Sequence, residues 1–407
     1  MANMLENYGL DFLAEDEDYL MGFVAYNAKE GKAVPTYYEG PYFYNSMGNV
    51  EFWVKTEKNI NGNLQVVGFD SHGGNRCIWN MIHTGIDITP NDVSKKERII
   101  MFNRNDEEQG GLIPIELITA DVLPSMMEGD VIAMQVLALP LDIKYYASED
   151  DYVEAQPDGK DGHKWLIGNG GLVPLSFLHN HSLERYEQGK EYETDRYVQF
   201  TATVKKIYHG VFEMDGKKHN TYIRCYADTE YGELEFDHTL EQVPEEMRDN
   251  IKIGAVISGT CVLSGDVAIR EYENGIIKDF EHNLKLLRYS LGKGDPERLM
   301  KVLAEDVVYE TDTSGKSYHG ARSIIDRFIY IHNNRDSEYS TYYATITDVE
   351  ETDMEYPIGT RCIVLADGDA TDNYESIAFM TVDDDGMITK IKISTDRRYH
   401  FKFDKKK

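Results

Sequence analysis

The sequence contains no run approaching the roughly 20 consecutive apolar residues that a membrane helix requires. It is also poor in positive charge. Lys plus Arg number 42 against 72 Asp plus Glu in 407 residues, a formal net charge of −30. Binding to duplex nucleic acid depends on Lys and Arg displacing phosphate counterions, so a general nucleic-acid binder is excluded on this balance. Adsorption to an anionic membrane is disfavoured for the same reason. Cysteine is scarce: Cys77, Cys225, Cys261 and Cys362 lie far apart with no CxxC pair. That argues against structural zinc and against a disulfide framework. The segment Met1-Ala-Asn-Met-Leu-Glu-Asn lacks the basic and apolar regions of a secretory leader, and Glu15-Asp-Glu-Asp18 follows soon after. A cytoplasmic location is the expectation.

What is present points to folded domains. A hydrophobic fraction of 41% and an aromatic fraction of 11% are too high for a disordered acidic chain. The acidity therefore belongs to the surfaces of two to four domains, the number expected for this length. It is uneven. Residues 1–190 carry 14 basic and 30 acidic side chains, 191–276 carry 9 and 17, and 277–407 carry 19 and 25. Over half of the excess thus lies in the first segment, which marks that segment as the part that would meet a basic partner.

The first two-thirds reads as β. Val50–Thr56 and Leu64–Asp70 are β-rich runs separated by Asn59-Ile-Asn-Gly62, a hairpin break. Leu112–Ile118 contains Pro114, which cannot donate to a ladder, so it reads as an edge strand or a strand start. Val131–Leu139 is a nearly continuous apolar run, as in a buried strand. Residues 147–173 read as loop, with turn signals at Asp158-Gly159, Asp161-Gly162 and Asn169-Gly-Gly171. Further strands are expected at Tyr197–Val204, Thr221–Tyr226, Glu233–Phe236 and Ala255–Leu263, with a turn at Met214–Lys218.

These segments echo each other. Val50-Glu-Phe52 matches Val198-Gln-Phe200, and Leu123-Pro-Ser-Met-Met127 matches Val243-Pro-Glu-Glu-Met247. Alternating strands, a short helical turn and a further strand resemble an OB-fold, a five-stranded Greek-key barrel. Two OB-like segments are expected, the first with a large insertion between about 70 and 112.

The last third changes character. Phe280, Leu284, Leu287 and Leu291 fall on one helical stripe. Asp295 and Pro296 supply an N-cap and a first helical residue for a second helix. Asp306–Thr311 is a strand, and Gly320–Ile329 is a third amphipathic helix with Ile324, Ile325, Phe328 and Ile329 inward. Strands are expected at Tyr339–Val349, Arg361–Ala366, Tyr374–Val382 and Met387–Thr395, the last two joined by Asp383-Asp-Asp-Gly386.

That order, with Gly294-Asp295, Leu303-Ala-Glu-Asp-Val-Val308, Tyr318-His-Gly-Ala-Arg-Ser-Ile-Ile325 and Asp384-Asp-Gly-Met-Ile388 in sequence, resembles the nuclear-transport-factor-2-like (SnoaL-like) superfamily over about residues 278–400. The resemblance implies a cone in which a curved antiparallel sheet wraps three helices around an apolar pocket. The superfamily holds isomerases, cyclases and dehydratases as well as non-catalytic binding and dimerisation domains, so the fold alone does not settle function. In its ketosteroid-isomerase-like members a general base lies on the strand after helix two. The matching position is Thr311, with Asp312 one residue later, and one residue along a strand reverses the face. The oxyanion-hole tyrosine on helix one would fall near Leu287, with Tyr289 nearby.

The expected architecture is therefore α+β and mostly β, multidomain: an acidic β-rich domain over 1–190, an OB-like β-barrel over 191–276 and a SnoaL-like cone over 277–407. Asp312, His319 and Tyr309 are the candidate acid/base set, since proton abstraction needs a carboxylate or imidazole within reach of substrate. The competing account makes Asp312-Thr-Ser-Gly315 a turn and His319 a loop residue. Tyr289, Thr311, His332 and Tyr343 are the candidate pocket residues. His179-Asn-His181 lacks a third metal ligand. His72-Gly-Gly-Asn75 lacks the Lys-Ser/Thr of a phosphate loop. Asp367–Asp372 fails calcium-loop spacing. No metal and no cofactor is assigned. Clustered tyrosines, such as Tyr37-Tyr38, Tyr42-Phe-Tyr44 and Tyr342-Tyr343, suit protein recognition or ordinary sheet packing.

The sequence does not identify a reaction. The reading it favours is a binding protein whose cone takes a small apolar ligand or forms a homodimer and whose barrels engage a protein partner. An isomerase, cyclase or dehydratase acting on a small hydrophobic substrate is the first alternative. An acidic inhibitor or immunity-type protein that blocks a basic partner is the second.

Overall fold

The computed structural model describes residues 5–13, 16–37, 40–73, 77–87, 98–104, 111–123, 126, 128–158, 164, 166–175, 196–214, 217–268, 276–292, 295–312, 315–333, 342–351, 356, 359–367, 374–396 and 398–401. Strands dominate, in several sheets with few helices. None of the described helices is long and apolar enough to cross a membrane. The chain divides into two compact units: residues 1–35, 39–120 and 127–273, and residues 36–38, 121–126 and 274–407.

The first unit opens with helix α1 (Glu17–Glu30), capped by Asp16, whose carboxylate accepts the N–H of Asp18 and of Tyr19. Strands β1 (Lys32–Val34), β2 (Tyr42–Met47), β3 (Val50–Lys58) and β4 (Leu64–Gly73) form a four-stranded antiparallel sheet in sequence order. Phe23 and Val24 of α1 pack on Phe52 and Phe69 of that sheet, with Phe52 and Phe69 stacked at 5.8 Å. Between β3 and β4, Lys55 Nζ lies 2.6 Å from the Asp70 carboxylate, both side chains buried. Gly68 makes room for this pair, because a Cβ there would come to 3.2 Å from the Lys55 stem.

A nine-stranded sheet follows, built from β5 (Ile78–Asp87), β6 (Arg98–Arg104), β7 (Ile113–Leu117), β8 (Val131–Tyr146), β9 (Leu172–Pro174), β10 (Tyr197–Met214), β11 (Lys217–Thr229), β12 (Gly232–His238) and β13 (Val256–Val267). Helix α2 (Glu149–Ala155) follows β8. The pairings form two circuits. β5 pairs β6, β6 pairs β7, β7 pairs β13 in parallel, β13 pairs β8, and β8 returns to β5. Likewise β10 pairs β11, β11 pairs β12, β12 pairs β8 in parallel, β8 pairs β13, and β13 returns to β10. The two long strands β8 and β13 therefore belong to both circuits. A register shift opposite Thr260 and Cys261 lets Leu141 bulge from β8 next to Pro140.

One expectation is corrected here. The region 70–112, expected to be an insertion, supplies β5 and β6, whereas Val50–Thr56 and Leu64–Asp70 belong to the separate four-stranded sheet. Pro114 is the second residue of β7, at the strand start that is one of its two expected places, and the strand has neighbours on both sides rather than an edge position. The proline is tolerated because the pairing with β13 begins only at Glu116, so its nitrogen owes that neighbour no donor. The sheet also joins strands from both sides of position 190.

The second unit holds α3 (Phe280–Leu291), a 3-10 segment Pro296–Lys301, β14 (Leu303–Thr311), β15 (Ser317–His319), α4 (Ala321–Asn333), β16 (Tyr342–Glu351), β17 (Arg361–Asp367), β18 (Tyr374–Val382), β19 (Ile388–Ser394) and β20 (His400–Phe401). The sheet order is β15-β14-β19-β18-β17-β16-β20. Asp279 caps α3 and Asp295 caps the 3-10 segment. The expected second helix stops after six residues because Leu303 enters β14 opposite Ile388, whose N–H donates to the Val302 carbonyl. One sheet face takes the helices, with Tyr309 against Phe328 of α4 at 5.6 Å. The other carries its own cluster of Val349, Cys362, Val364, Ile377, Phe379 and Tyr399. Tyr356 stacks on Phe379 there at 3.9 Å.

Candidate functional site

The acid/base residues expected from the sequence are placed by β14 and β15. Alternation along β14 turns Tyr309 to the helix face, where it is buried between Tyr318 and Phe328. Thr311 shares that face and is half-buried. Asp312 follows the end of the strand and is exposed. Its carboxylate accepts the Ser394 hydroxyl at 2.7 Å, the Thr395 N–H at 3.1 Å and the Thr395 hydroxyl at 3.2 Å. It thereby ties the end of β14 to the end of β19. His319 is exposed on β15, opposite Val308, with Nε2 3.1 Å from the Ser317 hydroxyl. The three residues do not converge.

Of the pocket candidates, Tyr289 is half-buried on α3 and His332 half-buried at the end of α4. The backbone of Tyr343 pairs with Ala366. His72 is buried, its Nδ1 3.3 Å from the Ser264 hydroxyl. His179-Asn-His181 and residues 368–373 lie outside the described residues. No group of metal-ligating side chains occurs among the described residues. All four cysteines are buried and none is in a disulfide. Burial pushes the Cys77, Cys225 and Cys362 thiols up to about 12, far from a nucleophile's range.

The interior of the second unit contains a residue that sequence reasoning passed over. Arg298, on the 3-10 segment, is fully buried. Its guanidinium lies 5.3 Å from the Tyr289 ring centroid and 5.6 Å from that of Tyr37, and it donates to the Leu123 carbonyl at 2.8 Å. Burial raises the Tyr37 phenol above its ordinary value, with Arg298 opposing that shift. A basic residue near the end of a short helical turn normally signals exposure. Nothing in the sequence places two tyrosines around it.

The first unit has a comparable centre. Arg224 donates to both carboxylate oxygens of Asp237, at 2.8 and 2.7 Å, and to the Asn49 carbonyl at 3.2 Å. Glu235 Oε1 lies 2.9 Å from Arg224 Nε. Both carboxylates are fully buried. Burial works to lower the Arg224 value, and the Asp237 hydrogen bonds with the Glu235 charge outweigh it. Gly73 lies against this cluster, and a Cβ there would force the Glu235 carboxylate to move. Tyr222 donates to the Gly48 carbonyl at 2.7 Å. Gly48 and Asn49 both have positive φ and form the turn between β2 and β3. Alternation concealed these residues, because Tyr222, Arg224 and Tyr226 are as buried as Ile223 and Cys225 on the other face.

A third buried group is His238. Its Nδ1 lies 2.8 Å from the Thr239 carbonyl and so carries the proton, while Nε2 accepts from the Tyr145 hydroxyl at 2.8 Å. Burial pushes this imidazole down to about 4 from 6.5, against the pull of the Thr239 carbonyl. The neutral ring's advantage is complete above about pH 6.5 and drains away as the pH falls toward 4. The loss amounts to about 3 kcal/mol. Urea unfolding at pH 7 and pH 4 should show this extra loss in wild type and not in His238→Gln. Equal losses in the two proteins would contradict it.

An open cavity of about 500 Å³ lies in the first unit beneath the loop Gly168–Gly171, with Leu166, Val173, Lys164 and Glu230 on its walls. Its charged groups are already engaged. Lys164 donates to the Gln156 carbonyl at 2.8 Å and pairs with Asp158 at 3.1 Å, and Glu230 accepts the Leu172 N–H at 3.0 Å.

Comparison with known proteins adds little. No family model matches the chain, and no curated protein matches it. Among solved structures, it is similar to a protein from Kribbella flavida named for ketosteroid isomerase, at 18% identity and a TM-score of 0.21, over 32% of this chain and 88% of that one. It is also similar to an uncharacterised bacterial protein from Silicibacter pomeroyi with a cystatin-like fold, at 15% identity and a TM-score of 0.18, over 26% of this chain and 66% of that one. Likenesses at this level carry no weight below.

Proposed function

We propose that this chain is a non-catalytic, acidic binding protein whose β-rich first unit engages a basic protein partner. Each five-strand circuit is read as an OB-like barrel, because a helical turn lies between β7 and β8 in the first and between β12 and β13 in the second, and each circuit holds one parallel pair, β7 with β13 and β12 with β8. On this reading the two barrels exchange their long strands β8 and β13. The boundary between segments 1–190 and 191–276 is then a connection within one body. The second unit is read as the cone, from its strand order with helices on one face, and serves a small ligand or a homodimer.

One observation carries the non-catalytic reading. Asp312, the carboxylate that would act as base, is exposed and accepts hydrogen bonds from Ser394 and Thr395, away from buried Tyr309. A general base must reach the proton it removes, and here its lone pairs already hold two strand ends together. The net charge of −30, with −16 in residues 1–190, supplies the attraction for a cationic partner.

Native mass spectrometry of the intact protein, isolated at low salt, tests this reading. The expected spectrum contains the chain with a cationic protein bound, and the complex disappears as ionic strength rises. A bare chain at every salt concentration overturns it.

A further inference from the structure

The outward face of α1 carries an unusual combination. Tyr19 is 68% exposed, Met21 52% and Tyr26 48%. Tyr19 and Tyr26 are seven residues apart and so lie on one stripe, about 10.5 Å apart along the axis. Met21 and Ala25 form the other edge of the same outward arc, and Gly22 lies between the two rows. The opposite side of the helix packs Phe23 and Val24 into the core, so the arc is turned away from it.

Gly22 is the informative residue. Glycine in the middle of a helix is destabilising relative to alanine. The usual compensation is a close neighbour that a side chain would strike. Among the described residues, nothing lies within 4 Å of a Cβ placed at Gly22. Its backbone is helical, so no positive φ demands glycine either. Nothing among the described residues accounts for it, and what it provides is a notch, rimmed by two tyrosines and a methionine, into which a second element can pack at close range.

The charge around the notch selects the partner. Asp11, Asp16, Glu17 and Asp18 are exposed at the amino end of the helix. At the other end Lys29 and Glu30 neutralise each other at 3.4 Å. A second copy of this chain would bring the same four carboxylates and is disfavoured. We infer that the Tyr19–Gly22–Tyr26 face of α1 is a docking surface for a Lys/Arg-bearing amphipathic helix of a partner protein. A helix crossing at Gly22 gains close packing, its apolar residues cover Met21 and the tyrosine rings, and its cations meet the carboxylates and the ring faces. This surface rests on the proposed reading of the chain as a binder of basic partners, and it specifies the place and the secondary structure of what binds.

The test uses the full chain and two probes, a leucine–lysine peptide of about 18 residues that folds as an amphipathic helix, and unstructured polylysine. Fluorescence anisotropy at about 20 mM salt reads binding, and thermal melting reads stability. Gly22→Ala should raise Tm by about 2–4 °C while weakening the helical peptide at least tenfold. Tyr19→Ser/Tyr26→Ser should weaken it similarly, with Tm unchanged. Polylysine should bind wild type and variants alike. Tight peptide binding by Gly22→Ala, or no peptide binding by wild type, overturns the α1 assignment and leaves the wider reading standing as long as polylysine binds. Failure of wild type to bind either probe overturns both.

Discussion

Replacing Arg224 with methionine should lower the stability of the first unit by about 3–5 kcal/mol, the usual cost of removing one partner from a buried ion cluster. The expected fall in Tm is roughly 10 °C. The size follows from what remains. Glu235 and Asp237 are fully buried, and Arg224 supplies two hydrogen bonds to Asp237 and an ion-pair contact of 2.9 Å to Glu235. Its removal leaves two carboxylates in a low-dielectric interior and takes a donor from the Asn49 carbonyl at the β2–β3 turn. The triple variant Arg224→Met/Glu235→Leu/Asp237→Leu should recover a large part of the loss, because an apolar cluster of similar volume is close to neutral. Chemical denaturation of the three proteins checks both statements. A loss below about 1 kcal/mol in the single variant would show that the cluster is solvated.

The second large effect belongs to the other unit. Arg298→Leu should cost about 3 kcal/mol. It removes two cation–π contacts, each worth up to about 2 kcal/mol when desolvated, and leaves the Leu123 carbonyl without that donor. Arg298→Lys should cost roughly half as much, since an ammonium keeps the charge but not the planar stacking on Tyr37 and Tyr289. Residues 36–38 and 121–126 belong to this unit, and the Tyr37 N–H donates to the Asp121 carbonyl. Hydrogen exchange in these two segments should therefore accelerate in Arg298→Leu before the sheet is affected. Unchanged protection of both would contradict the role given to Arg298.

How much of this was legible depended on the kind of signal. Helices α3 and α4 were, because Leu284, Leu287 and Leu291, and Ile324, Ile325 and Phe328, repeat at helical spacing and are buried as a face requires. The Asp295-Pro296 cap was legible as a start. The end of that helix was not, since Val302 and Leu303 fit a helical stripe as well as they fit the entry to β14. Strand positions were mostly recoverable from alternation, but partners were not. β8 spans 16 residues, about 53 Å of chain, far beyond an ordinary strand. That length was the available sign that it serves two circuits, and the apolar run seen in the sequence, Val131–Leu139, covers only its first nine residues. The site was least legible. Whether Asp312 faces the helices or the strand end is decided by one residue of register, the burial of Arg298 involves the ring of the distant Tyr37, and that of Arg224 involves carboxylates of β12 and the Asn49 carbonyl of the β2–β3 turn.

The central claim is that Asp312, Tyr309 and His319 do not form an acid/base site. Its most direct test is steady-state turnover of a ketosteroid substrate by wild type and Asp312→Asn, followed as double-bond isomerisation. The account predicts no rate above the buffer-catalysed background for either protein. Turnover by wild type that is lost in a folded Asp312→Asn variant would contradict it.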